Sequence, residues 1–325
     1  MKHYPWLDVL KYLCSIGIVS IHTQPFVDCT SINQHYLNFQ NLYVPLFFVI
    51  SSALFWHKIQ WNQQDMSHLL HFTRRLLLLV LLWGILLLPH WLSKFIRHNP
   101  DDWQLLLLPK VALTGFAQGS WFILSLIYGV WLCYGLNRYL PRTLVFCISM
   151  AIWAYFSLVH YEGMSDYLSI YYPNSTEGFQ FESYFSIVRS FVWIEAGYYL
   201  LPIVRDKCSV QYLKGLLFLS LIGLCFLPSG YFVPMGIAAI ILPALCMQVT
   251  NDQPKPRLVL LRRISILVFF IHFPIVTAFH TLYLAHLRSQ DFGMCEFLVT
   301  IILSTLIAYL LIYWARRFKP LSYLY

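Results

Sequence analysis

Apolar runs of 16 to 23 residues alternate with short polar, Pro- or Gly-containing breaks along the whole chain. Lipid cannot satisfy backbone polar groups, and the runs are too long for barrel strands, so each run predicts a helix. The pattern therefore predicts an all-α integral membrane protein with about ten transmembrane helices. The predicted spans are residues 7–25, 42–57, 73–92, 119–136, 143–159, 184–202, 213–228, 231–249, 262–284 and 296–315.

Composition supports this class of protein. Of 325 residues, 59% are hydrophobic and only 11% are charged, whereas soluble domains carry about 25% charged residues. Ten spans of about 20 residues use roughly 200 residues, close to the observed apolar content. The composition excludes soluble enzyme folds, and we predict a single membrane domain over residues 1–325.

The basic residues predict the orientation. Of 22 Lys and Arg residues, 16 fall on one side of the predicted spans, four fall on the other, and Lys11 and Arg189 lie inside spans. Because cytoplasmic loops are enriched in Lys and Arg, the asymmetry predicts that both termini are cytoplasmic. The net charge of +8 then faces anionic lipid headgroups. Since no basic stripe is interleaved with aromatics in a soluble module, nucleic acid is not an expected partner.

The first predicted helix carries ionisable residues that are costly in lipid. Lys11 and His22 are eleven residues apart, which places them within about 20° of one face and roughly 16 Å apart along the axis. Asp8 lies three residues before Lys11, close enough to pair with it. Two interpretations stand: one functional stripe, or a Lys11 that snorkels to the inner headgroups and a His22 that hydrogen-bonds at the outer interface.

The spacing of these two residues resembles a known motif. Lys11, ten intervening residues and His22 resemble the [Arg/Lys]-x10-His signature of the acyltransferase-3 family, membrane enzymes that O-acylate cell-surface glycans and related molecules. Other segments resemble family motifs in the expected order: Leu7–Lys11 (L-D-x-L-R), Val44–Ser52 (V-P-x-F-F-x-I-S-G), Trp121–Leu126 (W-F-L-x-x-L) and Ser265–Pro274 (S-x-x-x-Y-x-x-H-x-P).

The resemblance spans residues 7–274, and the sequence departs from the family pattern at several positions. Lys11 stands where Arg is usual, so a point charge replaces a bidentate donor. Ser52 replaces Gly, and a Phe stands at the Tyr position of the Ser265–Pro274 segment.

The resemblance implies an acyl donor, usually acetyl-CoA, that enters from the cytoplasm as a substrate, with no covalently bound cofactor. It implies an acceptor hydroxyl on an envelope glycan or lipid-linked sugar, and a multi-pass location in a bacterial inner membrane. A hydroxyl needs a base to become a good nucleophile, so His22 is the candidate general base or acyl carrier. Lys11 with Asp8 is the candidate contact to a donor phosphate.

Arg74 and Arg75 open the third span and are further candidates for binding donor phosphates, with positive-inside anchoring as the alternative. Trp121 could wall an acyl pocket or stack on a sugar, and it also suits an interfacial aromatic belt.

Three further residues are candidates for the acceptor pocket. Arg189 and Glu195 lie in the sixth span on roughly opposite faces, so each is expected to pair with another helix; both functional and structural roles remain open. His272 precedes Pro274, which would kink its helix and free a backbone carbonyl; it either borders the site or is a satisfied interhelical histidine.

No metal site is predicted, because His68 and His71 lack a zinc motif with a Glu. Cys29 and Cys295 fall in outer loops, where they could pair or remain two free thiols.

Two other functions fit ten spans. A secondary transporter or exporter would show inverted repeats with matching broken helices, and residues 1–160 and 161–325 show no such correspondence. A membrane sensor or scaffold without turnover would keep the fold but would not require His22.

Overall fold

The fold was analysed in a computed structural model that describes residues 3–59, 65–89, 119–159, 182–227, 232–250, 253, 255–280 and 293–325. Within these residues the regular structure is helical, with no strand, which confirms the all-α class. The long helices are α1 Pro5–Thr23, α2 Thr30–Trp56, α3 Asp65–Leu86, α4 Ser120–Tyr139, α5 Arg142–Val159, α6 Glu182–Lys207, α7 Val210–Phe226, α8 Phe232–Gln248, α9 Pro256–Phe279 and α10 Gly293–Ala315, and a 3-10 turn covers Lys319–Leu324.

Each predicted span overlaps one of these helices. Five of the described helices (α2, α3, α4, α9 and α10) are long and apolar enough to cross a membrane. The chain is therefore a helical membrane protein by length and composition. Ten crossings and cytoplasmic termini stay predictions.

Helix α2 begins 12 residues before the predicted span 42–57. Polar residues interrupt its first turns and hide the helix from a hydropathy pattern, but the structure pairs them with other helices. Asn38 Nδ2 donates to the carbonyls of Leu224 and Leu227, 3.1 and 3.0 Å away, at the end of α7. Side-chain partners of this kind satisfy carbonyls that a helix end leaves open.

Other boundaries also move outward from the predictions. Helix α3 begins at Asp65, so His68 and His71 lie within it rather than flanking it. Helix α6 continues beyond Pro202 to Lys207, and α9 starts at Pro256, before the predicted span 262–284. Hydropathy marks only the apolar part of a helix, whereas the helix itself continues into polar residues.

The described structure divides into two compact units. One unit comprises Met1–Ile50 and Leu200–Tyr325, and the other comprises Ser51–Tyr199. In the first unit α1 packs most extensively on α9 and also contacts α8 and α10, while α9 packs on α10 and α7 on α8. In the second unit α4 contacts α3 and α5. The prediction of a single domain stays a prediction.

Helix α1 carries a close aromatic contact at Gly17. Gly17 is buried, and a Cβ atom built there would lie 2.5 Å from ring carbons of Tyr43 on α2. A side chain at this position would displace the Tyr43 ring. The glycine thus allows α2 to lie close to α1 at this level.

We expect Gly17→Ala to destabilise the protein by about 1–3 kcal/mol, the usual cost of inserting a methyl group into packed space. Thermal unfolding in detergent measures this loss. The matched control is Gly215→Ala on α7, where nothing lies within 4 Å of the new Cβ. Alanine should there be neutral or raise stability by up to about 1 kcal/mol, because it is the better helix former. Equal melting temperatures for the two variants would contradict the packing described here.

Candidate active site

Tight bonding to α2 fixes the end of α1. The Ser20 carbonyl accepts from Gln40 Nε2 at 2.8 Å and from the Gln24 backbone N–H at 3.0 Å. The Ser20 hydroxyl accepts from the Tyr36 hydroxyl at 2.8 Å and donates to the Gly17 carbonyl at 2.6 Å. These bonds hold the last turn of α1, which carries His22.

The chain turns sharply after this last turn. Gln24 caps α1 in the left-handed conformation, with φ 43°, and Pro25 follows it. Gly293, at the start of α10, packs directly on the Gln24 carbonyl, where a Cβ atom would clash. The end of α1 is thus enclosed by α2 and by the beginning of α10.

His22 meets a second imidazole on α9. The ring centroids of His22 and His272 are 5.2 Å apart, and Phe273 lies 4.8 Å from His22 and 4.0 Å from His272. His22 is exposed, whereas His272 is wholly buried. One ring can therefore meet a substrate while the other is enclosed by protein.

The opposite end of α1 carries the predicted donor contact. Lys11 is half-buried, and Asp8, 4% exposed, accepts a hydrogen bond from His3 Nε2 at 2.8 Å. The second Asp8 oxygen lies 3.9 Å from a guanidinium nitrogen of Arg262 on α9. The carboxylate thus joins α1 to the start of α9. The expected pairing of Asp8 with Lys11 stays a prediction.

Arg74 and Arg75 are exposed on α3 in the second unit. The neighbouring residue Thr73 accepts a hydrogen bond from Trp131 Nε1 on α4 at 2.9 Å, which fixes this turn of α3. Trp121, half-buried at the start of α4, lies edge-on to Phe122 at 6.2 Å. The side chain of Arg189 lies outside the described residues.

Glu195 is fully buried on α6 in the same unit. Its Oε2 accepts from Asn137 Nδ2 on α4 at 2.9 Å, whereas its Oε1 is buried and without a hydrogen-bond partner in the described part of the chain. Arg142, at the start of α5, lies over the Tyr198 ring at 4.9 Å. Glu195 is thus tied to a different helix, within a buried polar cluster.

Two features of the first unit were not predicted from the sequence. Tyr36 and Gln40 position the end of α1, and only their polar character within a helix could have signalled them. His280 Nε2 lies 2.8 Å from Glu296 Oε1, which joins the end of α9 to the start of α10.

Ser52, the residue that stands in place of a glycine, donates to the Ile194 carbonyl at 2.5 Å.

An apolar groove lies beside the end of α1 in the first unit. Its volume is about 430 Å³, and its lining residues are Phe26, Ile32, His35, Tyr36, Phe39, Cys225 and Phe226. The Phe26 ring lies 4.8 Å from Tyr36, whose hydroxyl reaches Ser20.

Within the described residues no group of three or more His, Cys, Asp or Glu side chains could hold a metal ion. Cys29 and Cys295 are free thiols.

The long apolar helices are those of a membrane protein, and α1 carries the candidate site residues Lys11 and His22. The chain belongs to the acyltransferase-3 family (Acyl_transf_3), whose acyltransferase domain matches residues 4–314. This match confirms the resemblance found in the sequence motifs and supports a membrane acyltransferase in general. No curated protein and no solved structure matches the chain.

We expect Asn137→Leu to destabilise the protein, because it removes the amide that donates to the buried Glu195 carboxyl. A buried polar group that loses its partner costs about 1–3 kcal/mol. In the double variant Asn137→Leu/Glu195→Leu both polar groups are replaced by apolar ones, so most of the loss should be recovered. Thermal unfolding of the two single variants and the double variant gives the coupling energy. Strictly additive losses would show that the 2.9 Å contact has no energetic role.

Proposed function

We propose that this protein transfers an acetyl or other short acyl group from acyl-CoA to a hydroxyl of an envelope glycan or a lipid-linked sugar. The observation that carries the proposal is His22, an exposed imidazole fixed at the end of α1 on the helix that also carries Lys11. The family of the chain supports acyl transfer in general.

His22 supplies the base in this proposal. The acceptor hydroxyl loses its proton to His22 as its oxygen bonds to the thioester carbonyl carbon. The C–S bond then breaks, and the CoA thiolate leaves and takes up the proton. In the alternative order, His22 is acylated first and the acceptor then attacks the acyl-imidazole. Both routes need an unprotonated ring nitrogen, which histidine supplies near neutral pH.

Lys11 contacts a donor phosphate in this proposal. It lies eleven residues from His22, about 16 Å along a helix, which is comparable to an extended pantetheine arm. The donor enters from the cytoplasmic side, where the basic residues of the chain are concentrated. Arg74 and Arg75 are further candidate contacts to its phosphates.

The groove beside α1 supports a lipid-linked acceptor. It is lined by aromatic and aliphatic side chains, and Tyr36 connects it to the turn that carries His22. A volume of about 430 Å³ falls in the range of small-ligand sites. A hydrocarbon chain held there would bring a sugar headgroup to the outer end of α1. The protein would then act as a multi-pass enzyme of a bacterial inner membrane.

The test uses the purified full chain in nanodiscs with labelled acetyl-CoA and a panel of glycan and lipid-linked sugar acceptors. We expect His22→Ala to lower the rate of label transfer at least about 100-fold, because general-base catalysis contributes about 10²–10⁴-fold. His68→Ala removes an exposed histidine of α3 and serves as the matched control. It should leave the rate unchanged.

Full transfer by His22→Ala would remove His22 from the chemistry. Movement of intact substrate across the membrane without label transfer would identify an exporter instead. Binding of acyl-CoA without either outcome would favour a sensor.

We expect Lys11→Met to raise the KM for acyl-CoA with little change in kcat. A hydrogen bond to a charged group contributes about 1.5–3 kcal/mol, which corresponds to roughly a 10- to 150-fold change in KM. Lys11→Arg keeps the charge and should retain most of the affinity for the donor. Initial rates at varied donor concentration separate the two parameters. An unchanged KM in Lys11→Met would place the donor phosphates elsewhere.

A further inference from the structure

His272 on α9 is a buried imidazole with no role in the chemistry proposed above. It is fully enclosed, and the rings of Phe269 and Phe273 lie 6.3 and 4.0 Å from it. His22 is the neighbouring group that can exchange a proton with substrate, and its ring lies 5.2 Å away. A polar ring in this position requires a physical reason, because its burial is costly.

The contacts of His272 define its tautomer. His272 Nδ1 lies 3.0 Å from the carbonyl oxygen of Val268, one turn earlier on α9. A carbonyl oxygen only accepts hydrogen bonds, so Nδ1 carries the hydrogen. In a neutral ring Nε2 then holds a lone pair and is an acceptor. Nε2 is buried and has no hydrogen-bond partner among the described residues.

The distance between the rings allows a hydrogen bond between them. Two imidazoles joined by an N–H···N bond of about 3 Å have their centres separated by that bond plus two ring radii, close to the observed 5.2 Å. The planes are inclined by 34°. A rotation of the His22 ring that brings one of its nitrogens to Nε2 of His272 would form this bond.

We propose that His272 is a positioning residue for His22. His272 Nε2 accepts the N–H of His22 and selects the tautomer whose other nitrogen is unprotonated and faces the acceptor hydroxyl. When His22 takes the hydroxyl proton it becomes an imidazolium that still donates to His272, and the proton later leaves with the CoA thiolate. His272 stays neutral throughout. This inference rests on the proposed acyl transfer and adds the group that orients its base.

Two amide substitutions with side chains of different length test this role. His272→Gln places an amide oxygen near the position of Nε2, where it can accept from His22. His272→Asn is shorter by one methylene. Its amide N–H can donate to the Val268 carbonyl as Nδ1 does, but it places nothing at the position of Nε2. Both variants keep a polar group in the cavity, and thermal unfolding establishes that each is folded.

The first measurement is the tautomer of His22 in the full chain, read from its ring ¹⁵N shifts in ¹⁵N-histidine-labelled protein in nanodiscs. The His22 signal is assigned by its loss in His22→Asn. We expect one tautomer in the wild type and in His272→Gln, and a mixture in His272→Asn. An identical tautomer distribution in all three proteins would overturn the inference.

The second measurement is acyl transfer by the same proteins. We expect His272→Asn to lower kcat roughly 10- to 100-fold, by analogy with the loss seen when the outer hydrogen-bond partner of a metal-bound histidine is removed. The KM for acyl-CoA should stay constant, and His272→Gln should recover most of kcat. Equal kcat values for the Asn and Gln variants would also overturn the positioning role.

The two measurements separate the two proposals. A tautomer that responds to His272→Asn in a protein without transfer activity would uphold the pairing of the two rings and reject the acyl-transfer function. Transfer that depends on His22 but not on the residue at position 272 would uphold the function and reject the positioning role.

Discussion

The last carbonyls of a helix have no partners within the helix, and the site depends on how the end of α1 meets this constraint. The Ser20 carbonyl accepts two hydrogen bonds, one of them from Gln40 on α2, and the Ser20 hydroxyl is bonded to Tyr36. The same bonds that satisfy the backbone therefore hold the turn that presents His22.

Polar side chains elsewhere meet the same constraint by pairing across helices. Asn38 satisfies the end of α7, Ser52 donates to a carbonyl of α6, and Asn137 donates to Glu195. Against this background, the buried atoms that lack partners are informative. His272 Nε2 is the clearest case, because its ring is fully enclosed and yet lies next to an exposed imidazole. A role as hydrogen-bond acceptor for the candidate base His22 explains why the His272 ring is buried, and packing alone does not explain it.

The candidate site is formed by α1, which carries Lys11 and His22, and by α9, whose side chains contact both ends of α1. Helix α1 fixes the spacing of Lys11 and His22, because residues eleven apart lie on nearly one face. Helix α9 adds His272 and Phe273 at one end and, through Arg262 and Asp8, a charged contact at the other. The extensive packing of α1 on α9 thus positions both ends of the proposed reaction path.

The sequence alone determined the helical class, the approximate position of each helix and the family, because apolar runs of this length form helices in lipid and motif spacing along one helix needs no tertiary information. It also placed Lys11 and His22 on one face. Tertiary packing decided the rest. The first turns of α2 contain too many polar residues to be recognised by hydropathy, since their partners lie on α1 and α7. Asp8 contacts Arg262 on α9, and His272 meets His22 across 250 residues of sequence, because contacts between distant helices depend on how their faces pack and leave no periodic signal in the chain.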